Sequence, residues 1–377
     1  MQAPAISRDS LRDLCRARAE DGAGLSVVFD LDPERFATPP ARQSEVRSVL
    51  DGAHKRAVER GARRRVEELL EQARVALADS GAYDGAHGLA LFAGFDGTGA
   101  EPTVLRLPEP PAGPDVEVDH FPLVRPLARC TSDTRWAVVL VGREEGRVLL
   151  GDRFRLVDAE NLRETAHGRH DQGGWSQARY QRSVDEEARE HYDRIAAELD
   201  RLLAAGRYER LLIGGTEENA AGLRERLPEP AGEVMTATFA IDVGSANPDR
   251  VLEAAGGSMA EWEGRVLDEA MARLREQLGT GQAGAMGLEP TLEALTAQRV
   301  ARLFVPPSLG ARGTRCPRCD RLSSLDETEC PLDGAELVER EEILDDAVRK
   351  AFADSAAVSV LETAADLPGG IAALTHY

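Results

Sequence analysis

One run of apolar positions, too long for anything but a helix, constrains the middle of this chain more than any other feature. Tyr180, Val184, Ala188, Tyr192, Ile195, Leu199, Leu202 and Leu203 recur at helical spacing and stop at Gly206, a residue suited to a helix C-terminus. A helix of that length must lay its apolar face on something. Strand-like runs stand just before it. Trp136–Val141 and 147–150 are joined through Glu145-Gly146 as a hairpin, and 153–157 and 162–166 continue the sheet.

Between the last strand and the helix lies a stretch that suits neither. Gly173 and Gly174 are followed by Trp175, Ser176 and Gln177, with His167 and His170 before them and Arg179, Tyr180 and Arg182 after. Adjacent glycines adopt backbone angles closed to other residues, and Ser176 is a suitable helix N-cap. An indole and an amide between histidines and arginines make poor core. They make a good loop tip for reaching into a polyanionic partner. The histidines read first as surface residues; they could also contact phosphate or carry protons.

The stretch resembles the catalytic loop of the archaeo-eukaryotic class I peptide-release factors. It resembles still more closely their bacterial relatives and the eukaryotic ribosome-quality-control peptidyl-tRNA hydrolases. Arg179, Tyr180 and Arg182 match the family's Arg-aromatic-x-Arg helix start. Laid on the Gly-Gly-Gln tip, the usual glutamine falls at Trp175, and a glutamine appears two places later at Gln177. Phe29-Asp-Leu-Asp-Pro33 with Thr38-Pro-Pro-Ala-Arg42, and the glycines that open 369–374, also resemble the bacterial family.

The resemblance implies an α/β (α+β) protein of three domains: 1–128, 129–206 and 207–377. The middle domain would be ribonuclease-H-like and the last akin to kink-turn-binding proteins, with a zinc-ribbon-like insertion at 312–336. The implied partners are the large ribosomal subunit at its peptidyl-transferase centre and peptidyl-tRNA.

Peptidyl-tRNA hydrolysis is acyl transfer to water, which needs a held ester, a positioned water and donors where negative charge develops. A glutamine that does not titrate can serve if ribosome and tRNA supply the rest. On this reading Gln177 is the central catalytic residue, with Gly173, Gly174 and Ser176 shaping the backbone. Arg179 and Arg182 contact phosphates near the tRNA 3′ end, and Trp175 stacks on a base. Cleavage of the tRNA near its 3′ end is a variant of the same reading. The competing reading is a non-catalytic factor that binds the ribosomal A site.

The 377 residues carry a formal charge of −20, which opposes indiscriminate coating of nucleic acid, and no DNA partner is expected. Local basic patches remain: Lys55, Arg56, Arg60 and 63–65 on one predicted helix, and Arg312, Arg315, Arg318 and Arg321 around a cysteine pair. Such runs are usually solvated faces, and the second set could face RNA. No apolar run is long enough to span a membrane and no signal-peptide pattern opens the chain, so a cytoplasmic protein is expected.

Three of the five cysteines cluster. Cys316-Pro-Arg-Cys319 and Cys330-Pro-Leu-Asp333 repeat one spacing, and two such turns supply the four ligands of a tetrahedral zinc ribbon. A structural Zn2+ held by Cys316, Cys319, Cys330 and Asp333 is the leading reading. A ribbon held by packing and a redox pair are the others.

Elsewhere the pattern alternates. It predicts a helix over 7–18, a strand over 25–31 closed by a Pro39-Pro40 loop, strands over 88–93 and 103–107, and a helix over 44–80 that Gly61 bends or splits. A strand over 208–213 runs into Gly214-Gly215-Thr216, which lacks the lysine of a phosphate-binding P-loop. A strand over 234–241 follows, then helices over 249–278 and 289–297, a strand over 300–305, a helix over 341–352 and a strand over 357–361.

Overall fold

A computed structural model describes the chain except residues 1–5, 20–22, 60–62, 79–80, 82–85, 97–100, 112, 114, 144, 164–176, 281–283, 307–309, 325–326, 362–366, 368 and 377. It is a mixed α/β protein of two units, Met1–Thr131 with Glu269–Tyr377, and Ser132–Asp268.

The first unit begins with helix α1 (Arg8–Arg16), whose Ser7 and Ser10 form a reciprocal capping box. Strand β1 (Gly24–Asp30) is buried along its whole length, as its continuous apolar run demands of a central strand. Helices α2 (Pro39–Glu59) and α3 (Arg63–Ala76) follow. The first starts earlier than its periodicity suggests: Pro39 and Pro40 occupy the helix start, where the missing N–H costs nothing, instead of a loop. Strands β2 (Gly88–Ala93), β3 (Thr103–Leu107) and β4 (Asp115–Asp119) complete an antiparallel sheet in the order β3-β2-β1-β4. Leu25, Val27, Phe29, Leu89 and Leu91 pack on the apolar faces of α2 and α3. Val28, Ala90 and Phe92 point the other way, into a core that α1 shares with the C-terminal part of the chain.

In the second unit β5 (Trp136–Val141), β6 (Glu145–Gly151) and β7 (Leu156–Arg163) form an antiparallel meander, and α4 (Gln177–Ala204) returns the chain. Strand β8 (Arg210–Gly215) then pairs parallel to β5. After α5 (Glu217–Arg224) and the short α6 (Glu229–Glu233), β9 (Met235–Ala240) pairs parallel to β8. The sheet order is β7-β6-β5-β8-β9. A boundary at 206 therefore passes through this unit, because β8 and β9 hydrogen-bond onto the same sheet as β5. Tyr192, Ile195 and Leu199 of α4 and Leu223 of α5 cover one face, and Val251, Ala255 and Met259 of α7 (Pro248–Thr280) cover the other. The last helix runs without a break through Gly256 and Gly257, whose Cα atoms face open space.

The first unit resumes with β10 (Gly284–Met286), α8 (Leu288–Thr296) and β11 (Val300–Val305). Short strands β12 (Gly313–Arg315), β13 (Leu322–Ser323) and β14 (Val338–Arg340) frame the cysteine segment. Helix α9 (Ile343–Ala353), β15 (Ala357–Val360) and β16 (Ala372–Thr375) close the fold in a sheet ordered β10-β16-β11-β15.

Two stretches of this unit far apart in sequence meet in a buried ion cluster. Arg315, 3 % exposed, reaches Asp119 at 3.0 Å and pairs with Asp346; Arg340 reaches Glu117 at 3.0 Å and Asp346 at 2.8 Å. The Phe121 ring lies under the Arg349 guanidinium at 3.9 Å and the Arg315 guanidinium at 4.6 Å. Arg315 and Arg321 are thus corrections to the RNA-facing expectation: the first is sealed among carboxylates and the second is paired with Glu327. Arg312 and Arg318 are exposed.

Removing one partner from a buried pair leaves charge uncompensated. Arg315→Ala is expected to cost about 3–5 kcal/mol, seen as an earlier urea midpoint for this unit. Nearby, burial pushes the Asp345 carboxyl up to about 7 against the pull of Arg125. A raised carboxyl binds its proton more tightly folded than unfolded, so its contribution to stability is full below about pH 4 and is lost as pH rises through about 7. Asp345→Asn removes that loss. Its unfolding free energy should match the wild type near pH 4 and exceed it at pH 8 by on the order of 1–3 kcal/mol, measured from urea unfolding curves.

Candidate functional site

The stretch singled out by sequence runs from the end of β7 at Arg163 to the start of α4 at Gln177. A row of backbone partners crosses the sheet of the second unit through Leu162, Gly146, Val141, Gly215 and Ala240. Strand β7 therefore ends, at Arg163, along the same edge where the parallel strands β5, β8 and β9 end. Residues His167, His170, Gly173, Gly174, Trp175 and Ser176 lie outside the described residues. Gln177, Arg179 and Arg182 occupy the first turns of α4.

Helix α4 passes that edge near Ile195. A Cβ on Gly146 would stand 2.7 Å from Ile195 Cδ1, and 3.6 Å from His191 Cε1. Among the described side chains of α4, residues 186, 187, 189 and 190 are exposed, Ala188 packs against the core, and His191 and Tyr192 are buried. Gln177 precedes Tyr192 by fifteen residues, about 22 Å of helix at 1.5 Å per residue. The near half of α4 is clamped: Tyr208 donates a hydrogen bond to the Leu199 carbonyl (2.9 Å), and Tyr192 donates one to Asn219 Oδ1 (3.0 Å). The far half of the helix runs on past the edge where β5, β8 and β9 end.

The cysteine segment gathers as its spacing predicts. One ligand atom from each of Cys316, Cys319, Cys330 and Asp333 lies within 4.8 Å of all the others. Cys319 Sγ is 3.5 Å from Cys330 Sγ, and Cys316 Sγ is 3.4 Å from Asp333 Oδ2. Thiolates held at about 2.3 Å around a tetrahedral ion stand about 3.8 Å apart, so the cluster fits one with small adjustment. The main chain prepares it: Arg318 and Cys319 N–H groups donate to Cys316 Sγ at 3.4 Å, and Ala335 N–H donates to Asp333 Oδ1 at 3.0 Å. That last bond, first among its causes, holds the Asp333 carboxyl below the usual carboxylate range. Desolvation, and then hydrogen bonds to Cys316, Cys330 and Asp333, push the Cys319 thiol up to about 12. A divalent cation among the four would reverse that trend and deprotonate the thiols. Cys15 and Cys130 are buried elsewhere, as packing residues.

Sequence reasoning passed over one further feature of the second unit. Glu145, Thr216, Asn219 and Asp242 line a cleft of about 630 Å³ at the carboxyl ends of β5, β8 and β9. The signal available was the strand-Gly-Gly-Thr-helix turn, but its cleft forms only when β9 is laid beside β8.

Among curated proteins nothing matches the chain. Among solved structures it is similar to an archaeal translation termination factor, aRF1, with 16 % identity over 99 % of each chain and a TM-score of 0.27. It is similar to Pelota of Archaeoglobus fulgidus, with 12 % identity over 100 % of this chain and 93 % of that one and a TM-score of 0.32. It is also similar to Dom34 of S. cerevisiae, a translation termination-like factor, with 11 % identity over 77 % and 80 % and a TM-score of 0.37. The model of bacterial archaeo-eukaryotic release factor family 10 matches residues 122–284, a span that holds residues 164–177 and the five-stranded sheet. By that match, residues 122–284 belong to the bacterial archaeo-eukaryotic release factor type of family.

Proposed function

We propose that this is a translation-related, ribosome-associated protein that promotes peptidyl-tRNA cleavage at the peptidyl-transferase centre, releasing stalled nascent chains. The observation that supports the reading is the length of α4. A protein that acts inside another particle must hold its working residues away from its own body, and α4 starts about 22 Å before Tyr192, which is buried on the sheet. The family match over the same residues supports it. So does the strand order β7-β6-β5-β8-β9, an antiparallel meander extended by two parallel strands, which is the arrangement expected of a ribonuclease-H-like domain. The C-terminal sheet with α8 and α9 is the part we assign to the kink-turn-protein-like domain.

In this proposal Gln177 contributes a backbone N–H toward the developing oxyanion and an amide that orients water. Gly173, Gly174 and Ser176 let the main chain enter a narrow channel. Arg179, Arg182, His167 and His170 contact tRNA phosphates, and Trp175 stacks on a terminal base. Of the arginines by the knuckle, Arg312 and Arg318 remain as exposed candidates for ribosomal RNA. The knuckle holds Zn2+ through three thiolates and a carboxylate, as a structural ion that fixes a segment with little core of its own. Action on ribosomes makes the cytoplasm the site of work; no helix among the described residues is long and apolar enough to cross a membrane.

One observation favours a second reading. With Trp175 where the family's glutamine usually stands, the loop could occupy the A site without cleaving anything. Purified protein added to stalled ribosome–nascent-chain complexes separates the two. Release of peptide is expected, with Gln177→Ala reducing the rate on the order of 10²-fold. Undiminished release by the variant removes Gln177 from the mechanism, tight binding without release by the wild type supports the A-site reading, and sizing of the freed tRNA distinguishes ester from phosphodiester cleavage. For the knuckle, metal analysis is expected to find about one zinc per chain. Co2+ exchange should give thiolate charge-transfer absorption that Cys330→Ser weakens.

A further inference from the structure

We infer that the cleft at the carboxyl ends of β5, β8 and β9 is a binding site for an arginine side chain presented by a peptide. Connections leave the sheet here toward opposite faces. After β8 the chain enters α5, whose Ala220 and Leu223 pack with α4; after β9 it turns toward α7 on the other side. The gap left where two such connections part is where open α/β sheets bind ligands.

The chemistry of the lining selects the ligand. The point where a Gly244 Cβ would stand lies 3.5 Å from Glu145 Oε1 and 3.9 Å from Asp242 Oδ1. Two carboxylates thus face one space. Asp242 accepts a hydrogen bond from Ser245 Oγ at 2.7 Å, and among the described residues neither carboxylate has a cationic partner. The nearby cations are committed: Arg143 pairs with Glu218 at 3.3 Å and Arg147 with Asp158 at 2.8 Å. Phosphate is therefore repelled, despite the Gly-Gly-Thr turn, and a cation is invited.

Asn219 gives the independent observation. It is 92 % buried, lines the cleft, and spends its Oδ1 on Tyr192 and its N–H on Thr216, while its side-chain NH2 has no partner among the described residues. An amide donor left open at a cleft takes its acceptor from whatever enters it. A peptide carbonyl supplies one. Ile241 and Val243 line the remaining wall, which suits the apolar stem and flat face of a guanidinium group. An arginine flanked by peptide carbonyls satisfies all three walls at once. The site does not depend on the loop chemistry proposed above and is measured without ribosomes.

Titration of the full chain with Nα-acetyl-argininamide, followed by calorimetry, is expected to show salt-sensitive binding that weakens at least about tenfold in the double variant Glu145→Gln, Asp242→Asn. Gly244→Leu fills the cleft without backbone strain and should abolish binding, with an unchanged melting temperature reporting that it folds. Asn219→Leu, which removes the donor without adding charge, should weaken the capped arginine but not spermidine, a polycation with no carbonyl. No binding of the capped arginine, binding undiminished in Gly244→Leu, or spermidine bound as tightly as the capped arginine overturns the assignment.

Discussion

The second unit depends on a mismatch of lengths. Strand β5 is six residues, about 20 Å, whereas α4 is 28 residues, about 42 Å. A sheet of that height can bury only part of such a helix. The apolar residues Tyr192, Ile195, Leu199 and Leu202 sit on the covered part, and the tyrosine hydroxyls of residues 192 and 208 fix it in place. Ala188 still packs against that core, and the helix runs on from there back to Gln177.

The first unit answers a different problem: its two stretches of chain are separated by the whole of the second unit. Hydrophobic burial joins them, since α1, β1 and β2 share one core with α8, α9 and β11. A buried lattice of two arginines and three acids adds direction, because each guanidinium fits only certain carboxylate geometries. Glu117 and Asp119 come from one stretch, Arg315, Arg340 and Asp346 from the other. That use of arginine explains the two side chains near the knuckle that do not face solvent. In a chain of charge −20, arginines are scarce relative to acids, and those set beside a core are drawn into it.

Strong periodicity made the helices and central strands legible, and repeated Cys-x2 spacing made the gathering of Cys316, Cys319, Cys330 and Asp333 legible. Boundaries were less so. Pro39 and Pro40 read as a loop because proline breaks helices, yet at a helix start it breaks nothing. The helix from Pro248 to Thr280 runs on through Gly256 and Gly257 because Val251, Ala255 and Met259 pack it on a sheet, which holds it continuous. The three short strands beside the cysteines have no periodicity to detect, since two or three residues cannot show one.

By itself, the sequence determined which segments are amphipathic, where the glycines and the paired Cys-x2 turns fall, and which loop carries Gly173 to Gln177, because each of these is set by neighbours a few residues apart. Only the tertiary structure decided that β8 and β9 join the sheet of β5, that Arg315 is buried while Arg318 is exposed, and that Glu145, Asn219 and Asp242 face one cleft. Those outcomes depend on strand order and on side chains brought together from distant positions. Pairing across that distance leaves no local pattern to read.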